Sequence, residues 1–212
     1  MRHLLWAAVC LPLLMTAASA AENCGPLHLV SRVDLVPNKN ATAEFVPVEI
    51  AGVPKLMLLD TGAPYSTISK KVTEELKLST RESKIKLYTV TGAYGHMETQ
   101  VPVKMGNMKG DIRLIVVPVL DSFYEESLFA GLLGSDVLVN FDVSIDFGTH
   151  RLDLIDKNHC EGQAIYWPAD AVAVVPINRQ VSRDIVIDVE LDGKTVKAIL
   201  DTGATHSTLQ LK

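Results

Sequence analysis

Leu58-Leu59-Asp60-Thr61-Gly62-Ala63 closes an apolar run, Leu56 to Leu59, with an abrupt Asp-Thr-Gly. A buried strand that delivers a carboxylate into a tight turn has this pattern. The string returns as Ile199-Leu200-Asp201-Thr202-Gly203-Ala204, at an offset of 201 − 60 = 141 residues. At the same offset, without a gap, Val48, Glu49 and Gly52 match Val189, Glu190 and Gly193, and Ser66-Thr67 matches Ser207-Thr208. Chance supplies one such turn more readily than it supplies the flanking strand pair as well. The chain is therefore expected to hold one whole repeat, about 25–160, a connector over 161–170, and the opening of a second repeat over 171–212. A half-built repeat leaves an apolar strand without a core, so truncation of the second repeat is favoured over a vestigial one.

Around the first turn the pattern is one of short strands. Phe45 to Ile50 alternates, Ala51-Gly52-Val53-Pro54 turns the chain, and Lys55 to Leu59 returns. Ser69 is placed to cap a short helix through about Leu76. Residues 84–103 read as a hairpin around the glycine-bounded Thr91 to Gly95, and Ile112 to Val119 as a buried strand. Gly131-Leu132-Leu133-Gly134 is followed by a short amphipathic segment. Phe141 to Phe147 alternates, with Phe141, Val143, Ile145 and Phe147 on one face, and Arg151 to Ile155 runs back. The expected class is all-β, a barrel or sandwich with only short helices.

Export is the expectation at the N-terminus. A basic start, Met1-Arg2-His3, precedes an apolar Leu4 to Met15 and an Ala18-Ser19-Ala20 cleavage signal, which is the layout of a signal peptide, residues 1–20, cut near Ala20. That run is too short for a bilayer span, and no later stretch is long enough. Cys24 and Cys160 then remain, bracketing the first repeat, and a disulfide between them is favoured. Asn40-Ala41-Thr42 is a glycosylation sequon. The net charge of −5 gives nothing to attract nucleic acid or an anionic membrane. No P-loop or dinucleotide fingerprint is present. His150, His159 and Cys160 lie close in sequence without a four-ligand spacing, so no metal or other cofactor is expected.

Why would chemistry use Asp-Thr-Gly? Asp supplies charge, Gly62 lets the backbone approach the carboxylate, and the Thr61 hydroxyl both donates and accepts. Two such carboxylates at short range share one proton, because both cannot ionise cheaply. One then serves as base on a water and the other as acid toward a carbonyl. A lone turn of this kind is more often only hydrogen-bonded structure; the repeat and the Leu-Leu-Gly segment reverse that balance.

Met57 to Ile68 resembles the active-site signature of the aspartic proteases, and Ala198 to Leu209 fits it too. Leu132-Leu133-Gly134 resembles the element that supports the catalytic turn in retropepsin-like members, Ser135 to Leu138 the short helix after it, and the 84–103 hairpin their flap. The resemblance covers about 44–155 and 185–212. It implies a retropepsin-like closed β-barrel and an aspartic endopeptidase acting on peptide or protein substrates. Asp60 and Asp201 would be catalytic; Thr61, Gly62, Thr202 and Gly203 would support the dyad; and Tyr94 and His96 at the flap would touch substrate. One departure bears on substrate preference: retroviral enzymes usually carry an acid two places after the glycine, where Pro64 and Thr205 stand. The dyad could pair Asp60 with Asp60 of a second chain or with Asp201 of the same chain. The homodimer is favoured, because the second turn lacks a flap and a supporting loop. The competing readings are a peptide-binding module on the same fold and a purely structural envelope protein.

Overall fold

The structure is a computed structural model and describes residues 25–38, 43–88, 92, 94–118, 128–160, 167–168, 171–179 and 183–209. The expected signal segment, Cys24, the sequon and most of the expected connector over 161–170 lie outside the described residues.

The strands are β1 (Leu29–Asp34), β2 (Val36–Pro37), β3 (Glu44–Ile50), β4 (Val53–Leu59), β5 (Thr67–Ser69), β6 (Arg81–Tyr88), β7 (Tyr94–Met105), β8 (Met108–Val117), β9 (Phe129–Leu133), β10 (Asp142–Asp146), β11 (Arg151–Ile155), β12 (Asn178–Arg179), β13 (Ile185–Leu191) and β14 (Lys194–Ile199). Two short helices, α1 (Lys70–Glu75) and α2 (Ser135–Leu138), join them. The largest sheet runs β5-β8-β7-β3-β4-β9, with β2 on β3 and β6 on β7. A second sheet has the order β1-β11-β10 and a third β12-β13-β14. The architecture is the expected one: mostly β, a nearly closed barrel with few helices. Among the described residues no helix is long and apolar enough to cross a membrane.

β4 shows why its sequence lacks alternation. Met57 and Leu59 point into the main core with Val46, Val48 and Leu133. Leu56 and Leu58 point the other way, into a second cluster with Phe45, Val117 and Phe129. Both faces are covered, so every position from Leu56 to Leu59 is apolar. The Phe45 and Phe129 rings meet edge to face at 6.1 Å between centroids.

Two parallel pairings position the first turn. β4 runs beside β9 with Leu58 opposite Leu132 and Leu59 opposite Leu133, and β5 runs beside β8. Gly131 is where β9 crosses under β5. A Cβ there would lie 2.8 Å from the Thr67 carbonyl carbon and 2.9 Å from Ile68 Cα, and nearer still to the Thr67 oxygen. Backbone cannot move aside as a side-chain tip can, so Gly131→Ala is expected to cost about 2 kcal/mol. A fall in the denaturation midpoint at unchanged slope measures it.

Several local readings hold. Ser69 caps α1 through its Oγ, which accepts from Val72 N at 3.2 Å. Phe141, Val143 and Ile145 pack on the core, whereas Phe147, expected beside them, is exposed because β10 has already ended at Asp146. The Leu-Leu-Gly segment is the end of a strand, not a free loop.

The β3–β4 and β13–β14 hairpins turn alike. Ala51 and Gly52 have φ of 50° and 82°, and Asp192 and Gly193, 141 places on, have 50° and 73°. Two successive left-handed residues make the turn whose twist matches antiparallel strands, and Asp-Gly suits it better than Ala-Gly.

Candidate active site

Asp60 sits one residue past β4, where parallel pairing gives way to the turn. Its N–H donates to the Leu133 carbonyl at 3.1 Å. Its Oδ1 accepts from Gly62 N at 3.0 Å and Ala63 N at 2.9 Å. Asp201 repeats this, its Oδ1 accepting from Gly203 N at 2.8 Å and Ala204 N at 3.2 Å. A carboxylate bonded to its own turn is fixed in direction, and each of these points at the opposite turn.

The two turns meet within one chain. A Cβ on Gly62 would stand 2.6 Å and 2.7 Å from the two carboxylate oxygens of Asp201, and a Cβ on Gly203 2.6 Å from Asp60 Cγ. Only glycine leaves each carboxylate room over the facing backbone. The threonines lock the pair reciprocally. Thr61 N donates to Thr202 Oγ1 at 3.1 Å and Thr202 N to Thr61 Oγ1 at 3.0 Å. Thr61 Oγ1 donates to the Leu200 carbonyl at 2.6 Å, and Thr202 Oγ1 to the Leu59 carbonyl at 2.7 Å. Each hydroxyl thus uses both its donor and its acceptor capacity. In this single chain the Asp201 turn occupies the face through which the favoured homodimer would pair Asp60 with Asp60. The tether holds the second turn at high effective concentration, and the four hydrogen bonds need only the two turns.

Asp60 is raised from 3.8 to about 6, first by burial, then by the charge of Asp201 and a hydrogen bond to its side chain. The bonds from Ala63 and Gly62 pull the other way. The folded chain therefore holds a proton on Asp60 between about pH 4 and 6 that the unfolded chain has lost. Folded binding exceeds unfolded binding there, so this group's contribution to stability is present at low pH and is lost as pH rises through about 6. The full difference is at most about 3 kcal/mol. Thermal melts at pH 4.5 and 7.5 are expected to show the loss, and Asp201→Asn to shrink it.

The floor under the Asp60 turn came through only partly in the sequence. Leu132, Leu133 and Gly134 are there as expected, a Cβ on Gly134 lying 2.7 Å from the Ala63 carbonyl oxygen. Polar residues beside them were missed. Ser66 Oγ donates to Asp136 Oδ1 at 2.7 Å and accepts from Gly134 N at 2.9 Å, while Ser66 N donates to the same Asp136 oxygen at 2.8 Å. Thr67 Oγ1 accepts from Leu132 N at 3.2 Å. Ser135 Oγ donates to the Thr61 carbonyl at 2.9 Å and Ser135 N to the Ala63 carbonyl at 2.8 Å. The recurrence of Ser-Thr at 207–208 was the signal that could have found Ser66 and Thr67.

The hairpin candidates are described only in part. His96 is exposed on β7. Tyr94 begins that strand, opposite Tyr88; its side chain, and the hairpin tip at 89–91 and 93, lie outside the described residues. Arg183 stacks over the Tyr65 ring at 5.0 Å, a contact between the approach to β13 and the first turn that the sequence did not suggest.

Residues 46–137 match the family model described as aspartyl protease. Three solved structures illustrate the fold likeness. One is EIAV protease in complex with an inhibitor, at 22% identity and a TM-score of 0.39 over 49% of this chain and 92% of that one. Another is a retropepsin-like aspartic protease from Rickettsia conorii, at 19% and 0.40 over 61% and 93%. The third is the retroviral protease-like domain of Ddi1 from Leishmania major, at 18% and 0.35 over 48% and 79%. No curated protein matches the sequence. The family match covers the first turn and its surroundings and stops short of the second turn.

Proposed function

We propose that the protein is an aspartic endopeptidase whose dyad is Asp60 and Asp201 of one chain. The observation that carries this reading is the crossing of the two carboxylates over each other's glycines. In the one-proton state the ionised carboxylate takes a proton from a water held between the pair. The water oxygen attacks the amide carbon, and the protonated partner gives its proton to the carbonyl oxygen. In breakdown the dyad gives the proton taken from the water to the leaving nitrogen as the C–N bond breaks, and its other carboxylate takes a proton from a hydroxyl of the tetrahedral adduct, which leaves the dyad with one proton again. Tyr94 and His96 belong to this reading as substrate contacts of the β6–β7 hairpin.

Export with cleavage near Ala20 is part of the proposal, as is the division into a repeat over 25–160, a connector over 161–170 and the start of a second repeat over 171–212. So is the disulfide between Cys24 and Cys160. It is supported by the bonded state of Cys160, whose Sγ lies 3.8 Å from the carbonyl of Gly25, the residue after Cys24.

Cleavage of an unfolded protein between about pH 3 and 8 tests the activity. A bell-shaped profile is expected, with its alkaline limb near the Asp60 value of about 6. No cleavage at any pH would contradict it. The exposure of Asp201 beside the buried Thr61 favours a second reading, a module that grips an extended peptide without cutting it.

A further inference from the structure

Arg183 is held at two points and answered by no opposite charge. Its backbone lies in the left-handed region, with φ 64°. A long side chain keeps that conformation only where its surroundings fix it, and such residues gather at ligand clamps. Its guanidinium carbon stands over the Tyr65 ring, 5.0 Å from the centroid. The ring attracts the cation but does not take up its N–H donors as a carboxylate would. Among the described residues no carboxylate pairs with Arg183, including Asp184 beside it in the chain. The residue is exposed, so these donors are open to a ligand.

Its place in the fold puts this cation at the dyad. Tyr65 leaves the Asp60 turn and lies over the floor of it, its carbonyl carbon 2.7 Å from where a Cβ on Gly134 would stand. Arg183 stands two residues before Ile185, whose carbonyl accepts from Leu200 N at 2.9 Å, next to Asp201. The stacked pair thus joins the chain leaving one catalytic turn to the chain held against the other. Ala63, Pro64 and Tyr65 bring no charge of their own to that edge. We propose that Arg183, stacked on Tyr65, is a specificity-determining residue that receives the carboxylate side chain of an Asp or Glu in the peptide bound across the dyad. A guanidinium fixed by its face presents its N–H edge, which takes a carboxylate through two parallel hydrogen bonds. The preference is one-sided, because Thr42, 141 places earlier in the sequence, is uncharged.

The inference rests on the reading of Asp60 and Asp201 as a peptide-binding dyad, and its test separates binding from cleavage. Full-length Asp60→Asn protein is titrated with short extended peptides built on a central Leu-Leu pair, each with one Glu at a different flanking position, and with the same set carrying Gln. One position on one side of the pair is expected to favour Glu by at least about tenfold at low salt, and by less at high salt. Arg183→Asn, a residue that tolerates the left-handed backbone, should erase the preference and leave the Gln peptides bound as before. Arg183→Lys should retain part of it. Tyr65→Phe should keep the preference and Tyr65→Leu should reduce it, because the ring face and not the hydroxyl holds the guanidinium. Equal binding of Glu and Gln at every position, or a preference that survives Arg183→Asn, would overturn the inference; cleavage of the Gln peptides by the parent would then leave the proposed function standing. A Glu preference that depends on Arg183, in a parent that cuts none of the peptides, would sustain the inference while the proposed activity fails. A protein that binds none of them would overturn both.

Discussion

Asp60→Asn is expected to abolish peptide cleavage while leaving the fold and substrate binding in place. Asn keeps the shape of Asp and still accepts from Gly62 and Ala63 through its side-chain oxygen. It cannot exchange a proton, and general acid–base catalysis by one group is worth about a hundredfold to ten-thousandfold. The dyad acts as a unit, so a loss of at least about a thousandfold in kcat is expected. An unchanged circular dichroism spectrum and retained peptide affinity would locate the loss in chemistry. Cleavage within about tenfold of the parent would show that Asp60 is only a turn former.

Thr61→Val is expected to have the next largest effect, and through geometry. The side chain is buried, and its hydroxyl both donates to Leu200 and accepts from Thr202 N. Val has the same shape without the hydroxyl, so it leaves a carbonyl and an amide of the facing turn unsatisfied. The facing turn is partly solvated, so each stranded group costs about 1–2 kcal/mol and the pairing of the turns weakens by about 2–4 kcal/mol. That corresponds to a fall in kcat/KM of about 30- to 1,000-fold. Faster hydrogen exchange at the Thr202 amide should accompany it, because that N–H loses its acceptor. Thr61→Ser, which keeps the hydroxyl, should stay within a few-fold of the parent.

The site's parts were legible in the sequence to the extent that they repeat. The two Asp-Thr-Gly strings, their approach strands and the turn at 51–52 all stand 141 residues from a copy, so each supports the other. The parallel contact of β4 with β9 has no local signal. It joins residues some 70 positions apart, and period-2 alternation cannot distinguish a parallel from an antiparallel neighbour. Ser66, Ser135 and Asp136 were missed for a related reason: Ser and Asp are ordinary turn residues, and only their bonds to one another single them out. The pairing of Asp60 with Asp201 has no local signal either, because it depends on the tether and on bonds between turns 141 residues apart. Turn-to-turn bonds between Thr61 and Thr202 use only groups of the two turns.

The most direct test of a dyad formed within one chain is the activity of Asp201→Asn, measured beside the parent and Asp60→Asn on fractions whose mass is read by light scattering. Pairing within the chain predicts that the parent cleaves as a monomer and that both substitutions silence it alike. Full cleavage by the Asp201→Asn protein, eluting as a dimer, would contradict the account and place the dyad between two copies of Asp60.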